Sequence, residues 1–86
     1  MFTIMAYDVG ETRVGRLRKI ACKYLFPVQR SLFQGHLTER QLGLLKQAIA
    51  RVTVPEEDRV IFYKVFDDST LQTDELGICA EWDMIL

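Results

Sequence analysis

Residues 2–25, FTIMAYDVGETRVGRLRKIACKYL, change period part-way along, and that change decides the fold. Phe2, Ile4 and Ala6 fall on one parity and Met5 and Tyr7 on the other, so residues 2–7 read as a central strand buried on both faces. Gly10 interrupts, and the period becomes helical. Val14, Leu17, Ala21, Tyr24 and Leu25 recur at three- and four-residue spacing and form a buried stripe. Arg16, Lys19 and Lys23 follow the same spacing on another face, and Arg13 and Arg18 bring the cations to five within eleven positions. Only Glu11 offsets them. Their mutual repulsion, a few tenths of a kcal/mol per pair, goes uncompensated unless an anion binds there. The stripe therefore reads as a surface for phosphate contacts, with no base-specific recognition.

Asp8 closes the strand just ahead of this helix, and two readings of it stand side by side. Asp8-Val9-Gly10-Glu11 has the spacing of a capping box, worth about 1 kcal/mol. Alternatively, the carboxylate holds a divalent metal, which one aspartate per chain can do if a twofold axis supplies a second.

Downstream, Pro27 is expected to end the first helix. VQRSLFQGHL, residues 28–37, then reads as a strand whose alternation slips, with a bulge or bend near Gly35 that divides it in two. Thr38 is a good N-cap for a second helix, with Gln41 completing a capping box and Leu42, Leu45, Ile49 and Val52 forming its apolar stripe. RVIFYKVF, residues 59–66, is the clearest strand in the chain. DDSTLQTDELG, residues 67–77, reads as an acidic loop, and ICAEWDMIL, residues 78–86, as a last strand. The order βαββαβ plus one strand indicates an α+β, ferredoxin-like sandwich, with two helices on one face of an antiparallel sheet. The chain forms a single domain, with residues 1–66 as its core and 67–86 as an acidic loop and strand for dimer or partner contact.

At 86 residues, folding buries only roughly 60–65% of the unfolded surface, while 49% of the residues are apolar. Self-association is the expected remedy. Cys22 and Cys79 allow at most one bridge; without a signal peptide they suit a reducing cytoplasm, where both act as small hydrophobes. No apolar run approaches a membrane span. The net charge of −1 hides an asymmetry: residues 1–51 hold nine Lys/Arg and three acids, residues 52–86 two and nine. A polyanionic partner for the first half follows from that asymmetry.

Three segments in order, "YDV" at 7–9, "VQRSLFQGHLT" at 28–38 and "PEEDRVIFYKV" at 55–65, resemble the CRISPR-associated Cas two family, the small partner of the spacer-acquisition integrase. The resemblance covers residues 1–66. It implies a homodimer of ferredoxin-like subunits in which Asp8 meets its symmetry mate across a cleft and binds Mg²⁺ or another divalent metal. It further implies that the dimer bridges two dimers of the CRISPR integrase Cas one and carries a duplex DNA spacer precursor. Metal-dependent cleavage of single-stranded RNA or DNA has also been attributed to the family. Ser31 and Phe33 are placed near the cleft by the same resemblance, so Asp8, Ser31 and Phe33 are the catalytic candidates. Arg13, Arg16, Arg18, Lys19, Lys23 and Arg30 are the nucleic-acid-binding candidates. Gln34 stands where the family commonly has an acid, and His36 where an acidic residue is common; the change bears on cleavage and leaves a scaffold role untouched.

Plainer readings accompany these. Ser31 and Phe33 also suit a sheet hydroxyl beside a core aromatic, and His36 a surface strand position near the phosphate site. Glu56-Glu57-Asp58 and Asp67-Asp68 read as solvated turns. Trp82, Met84, Ile85 and Leu86 mark an interface, either within the chain's own sheet or swapped onto a partner's. Four function classes stay open: a metal-dependent endonuclease, a DNA-binding scaffold, a toxin ribonuclease of the virulence-associated protein D type, and a small-molecule regulatory domain. The last has no need of a strongly basic half.

Overall fold

A computed structural model describes residues 1–67 and 70–77. Its elements are β1 (Phe2–Asp8), α1 (Glu11–Ala21), β2 (Phe26–Gln29), β3 (Leu32–His36), α2 (Glu39–Val52), β4 (Arg59–Asp67) and β5 (Thr70–Gly77). All strand pairs are antiparallel, in the order β2-β3-β1-β4-β5. This is the expected α+β sandwich, with β5 added outside β4.

One core lies between the sheet and both helices. Met5, Tyr7, Phe33, Val60 and Phe62 rise from the sheet to meet Leu17, Ala21, Leu42, Leu45 and Ile49 of the helices. The helix stripes therefore sit where their periodicity puts them. Thr38 caps α2 as its sequence requires: Gln41 N–H donates to Thr38 Oγ1 at 3.1 Å, and Thr38 N–H donates to Gln41 Oε1 at 2.9 Å.

β1 departs from its expectation. Thr3, Met5 and Tyr7 are buried beneath the helices, but Phe2, Ile4 and Ala6 on the opposite face are only half-buried. Leu32, Tyr63 and Val65 share that face and are also half-covered, and Phe26 is 74% exposed. The apolar residues on both parities thus record one face closed by helices and one only partly covered, where Ile61, paired with Ala6, is the fully buried exception.

Three further boundaries move. Helix α1 ends at Ala21, not at Pro27: Lys23 and Tyr24 N–H bond three residues back, to Ile20 and Ala21 C=O, and this tighter turn drops Leu25 into the core. Pro27 instead sits in edge strand β2, where a missing N–H is tolerated. Residues 26–36 form a hairpin turning at Arg30-Ser31, and its irregular register lies between Pro27 and Gln29, away from Gly35.

The acidic segment before Gly77 is also a strand, not a loop. β5 pairs along β4 from Arg59↔Gly77 to Asp67↔Thr70. Its polar composition suits an edge position, and basic neighbours meet its acids. Lys64 Nζ donates to Asp74 Oδ2 at 2.6 Å, Lys46 Nζ donates to the same oxygen, and Arg59 Nη2 donates to Glu75 Oε2 at 2.8 Å. The strand expected at residues 78–86, with Cys79 and the interface candidates Trp82, Met84, Ile85 and Leu86, lies outside the described residues. Among the described residues, no helix is long and apolar enough to cross a membrane.

Candidate functional site

Asp8 ends β1 on the parity of Phe2, Ile4 and Ala6, and so lies at the end of the open sheet face. It is exposed, and no hydrogen bond or ion pair holds its carboxylate among the described residues. Across the ladder its partner is Arg59, which is 3% exposed and bonded to Glu75. A free, hard oxygen ligand of this kind suits Mg²⁺, which keeps several waters and takes one or two carboxylates. Among the described residues no group of three His, Cys, Asp or Glu side chains converges to hold a metal.

The capping-box reading of Asp8 is overturned. The N-cap of α1 is Gly10, which has no side chain to cap with. Asp58, forty-eight positions further on, serves the helix instead. Its Oδ1 accepts Gly10 N–H at 2.9 Å and Arg13 Nη2 at 2.8 Å, and its Oδ2 accepts Arg13 Nε at 2.6 Å and Val54 N–H at 2.8 Å. Asp58 is 1% exposed, so its turn is not solvated at that residue. The Arg13 fork, chiefly, together with the two backbone donors, lowers its pKa to about 2 against the cost of burial. Arg13 also bonds Glu57 at 3.2 Å. The Arg13 side chain, 22% exposed, is thus tied to two carboxylates of the turn before β4.

Arg18 has a structural task as well. Its Nη1 donates to Tyr7 Oη at 2.5 Å and to Arg30 C=O at 3.0 Å, and its guanidinium lies 5.3 Å from the Phe33 ring centroid. Tyr7 Oη in turn donates to Arg30 C=O at 2.6 Å, and Tyr7 N–H to Ser31 C=O at 3.1 Å. These bonds fasten the Arg30-Ser31 turn to the end of β1 beside Asp8, leaving both turn side chains exposed. Tyr7→Phe should cost about 1–2 kcal/mol, through loss of the paired hydroxyl contacts, with urea melts as the check.

Phe33 belongs to the core. It is fully buried beneath the helices, on the face opposite Asp8, so it shapes no solvent-facing cleft in the single chain. His36 stacks edge-on against Phe2 with centroids 5.2 Å apart. Phe2 lies six residues, roughly 20 Å, along β1 from Asp8, so His36 stands apart from that site. Cys22 is an exposed free thiol at the end of α1, not a buried hydrophobe. Arg16, Lys19, Lys23 and Arg30 are exposed and carry no ion pair among the described residues. Arg40 and Arg51 of α2 are exposed and without an ion pair in the same way.

Asp58, Tyr7 and Arg59 are the contributors the residue patterns did not single out. An acid immediately before the strand run, and a tyrosine immediately before the terminal aspartate, were the available signals.

The chain matches known proteins over most of its length. The family model described as CRISPR associated protein Cas2 matches residues 1–73. The CRISPR-associated endoribonuclease Cas2 of Thermotoga maritima is 38% identical over 78 residues, covering 91% of this chain and 90% of that protein. Its namesake in Nanoarchaeum equitans is 37% identical over 84 residues, covering 98% and 90%. A crystal structure of Cas2 superposes with a TM-score of 0.69 at 38% identity, covering 86% of this chain and 88% of that one.

Proposed function

Because this chain belongs to the CRISPR-associated protein Cas2 family, we propose that it acts in spacer acquisition as a homodimer that holds nucleic acid and carries a divalent metal between two Asp8 carboxylates. The observation that carries this reading is the unpartnered Asp8 carboxylate at the end of a half-covered apolar sheet face. Stacking two such faces about a twofold axis buries Phe2, Ile4 and Tyr63 and supplies the second carboxylate that one chain lacks. Arg16, Lys19 and Lys23 then lie on the helix layer of each subunit, suited to the backbone of a duplex DNA spacer precursor. The integrase Cas one is the proposed protein partner.

Cleavage of phosphodiester bonds, in RNA or DNA, is a second reading, favoured by the names of the endoribonuclease relatives. When bound, Mg²⁺ would supply Lewis-acid stabilisation of a phosphoryl oxygen. The residues of the chain itself would hold the ion at Asp8 and present Arg30 and the Ser31 hydroxyl beside it.

The test compares wild type with Asp8→Ala for Mg²⁺-dependent cleavage of RNA and duplex DNA, with melting curves on the same samples. Stability should change by less than about 0.5 kcal/mol, because Asp8 is exposed and caps nothing. Cleavage lost from the folded variant supports the enzyme. Equal cleavage by both, or none by either, rejects it and leaves the scaffold. Duplex binding should weaken on substituting Arg16, Lys19 or Lys23 by alanine, each removing about 0.9 from the slope of log K against log salt. An unchanged slope in all three would reject the helix stripe as the DNA surface.

A further inference from the structure

Three separate stretches of chain converge on Asp58. From the β1–α1 connection come Gly10 N–H and the Arg13 fork; from the turn before β4 comes Val54 N–H. From the end of β5 comes the backbone of Gly77, which pairs with Arg59 and packs so closely that a Cβ would lie 1.7 Å from Asp58 C=O. Gly77 also has φ of +96°, so glycine is required there twice over. At Gly10 a Cβ would lie 2.5 Å from Arg13 Nη2, so a side chain there would displace the end of the arginine from its present path over the helix start to Asp58.

This latch lies next to Asp8 on two sides. Asp8 pairs with Arg59, the residue after Asp58, and Gly10, which Asp58 binds, is two residues beyond Asp8. The Asp8 carboxylate makes no bond of its own among the described residues, so the fold fixes where it stands only through the backbone that carries it. We infer that Asp58 is a positioning residue for Asp8: by anchoring Gly10 and Arg13 it aims the Asp8 carboxylate so that two copies can grip one divalent ion. The inference rests on the reading of Asp8 as a metal ligand. Mg²⁺ demands near-ideal octahedral geometry, so a ligand on a loosened backbone loses affinity although no ligand atom has been removed. Groups that orient metal ligands typically matter by 10–100-fold.

Mn²⁺ is the probe, with binding to the full chain followed by the electron paramagnetic resonance signal of the free ion. Wild type, Asp8→Ala, Asp58→Asn and Arg13→Lys are compared, with circular dichroism giving the folded fraction and hydrogen exchange reporting the Gly10 amide. Asp58→Asn should bind Mn²⁺ about 10-fold more weakly, with Gly10 N–H exchanging faster. Arg13→Lys, which keeps the charge but loses the fork, should fall between it and wild type, and it decides the matter if Asp58→Asn does not fold. Asp8→Ala should abolish binding. If Asp8→Ala abolishes binding while folded Asp58→Asn or Arg13→Lys binds as wild type does, Asp58 supports stability alone and the inference fails. If Asp8→Ala binds Mn²⁺ unchanged, the metal reading of Asp8 is wrong and the inference falls with it.

Discussion

Asp58→Ala should lower the stability of the fold by about 3–5 kcal/mol, the range for removing one member of a buried, hydrogen-bonded ion pair. The substitution leaves Gly10 and Val54 N–H without their acceptor and the Arg13 fork with Glu57 as its remaining carboxylate partner. At roughly 4–8 °C per kcal/mol for a domain of this size, Tm should fall by about 15 °C or more. Acid titration gives an independent check. The folded carboxylate titrates at about 2 and its ordinary value is 3.8, so the folded state favours the charged form. That preference is worth about 2 kcal/mol. It is fully present above about pH 5, declines as pH falls through 4, and is gone below about 2. Asp58→Ala should therefore show a flatter loss of stability between pH 5 and 2 than wild type. A loss below about 1 kcal/mol, with an unchanged acid profile, would return Asp58 to the role of a solvated turn residue.

Phe33→Ala should cost about 3–5 kcal/mol, the range for emptying a large aromatic site in a packed core. Phe33 is 0% exposed, pairs with Met5 across the ladder and lies 5.9 Å from the Tyr7 ring centroid. The cavity would also remove the ring on which Arg18 rests, loosening the Arg30-Ser31 turn. Phe33→Leu retains most of the volume and should cost about 1–2 kcal/mol. The two variants separate the core role from the cleft role implied by family resemblance. A core residue gives stability losses graded with volume, and nucleic-acid binding per folded molecule is retained. Loss of binding or cleavage with full stability in Phe33→Leu would place the ring in a functional cleft after all.

Much of the fold was legible because its determinants are local. The Thr38–Gln41 box spans three residues, and both helix stripes repeat within a turn or two. Such contacts form wherever the segment folds, so periodicity and cap residues report them faithfully. The β4 run and the change of period after Gly10 are local in the same sense. The ends of α1 and the hairpin were less legible. Pro27 was available to end a helix, but the tighter turn at residues 21–25 ended it first by burying Leu25. Segment 70–77 was opaque because its acids resemble a loop until Lys46, Lys64 and Arg59 are brought against them.

The candidate site divides along the same line. A lone aspartate ending a strand, and a stripe of cations on the following helix, can be read from the residues alone. The stripe holds three readings that charge alone does not distinguish. Arg13 is bound to Asp58, Arg18 rests between Phe33 and Tyr7, and Arg16 and Lys19 stay exposed.

By itself the sequence determined the succession of strands and helices as far as β4, the α2 cap, the apolar stripes and the placing of positive charge, because each depends on neighbours within about four residues. Tertiary structure alone decided which carboxylate anchors the start of α1 through Gly10 and Arg13, which cations stay unpaired among the described residues, and that Asp8 and Phe33 lie on opposite faces of the sheet. Those outcomes depend on groups up to forty-eight positions apart, such as Gly10 and Asp58, which meet only when the antiparallel pairing of β1 and β4 fixes their register.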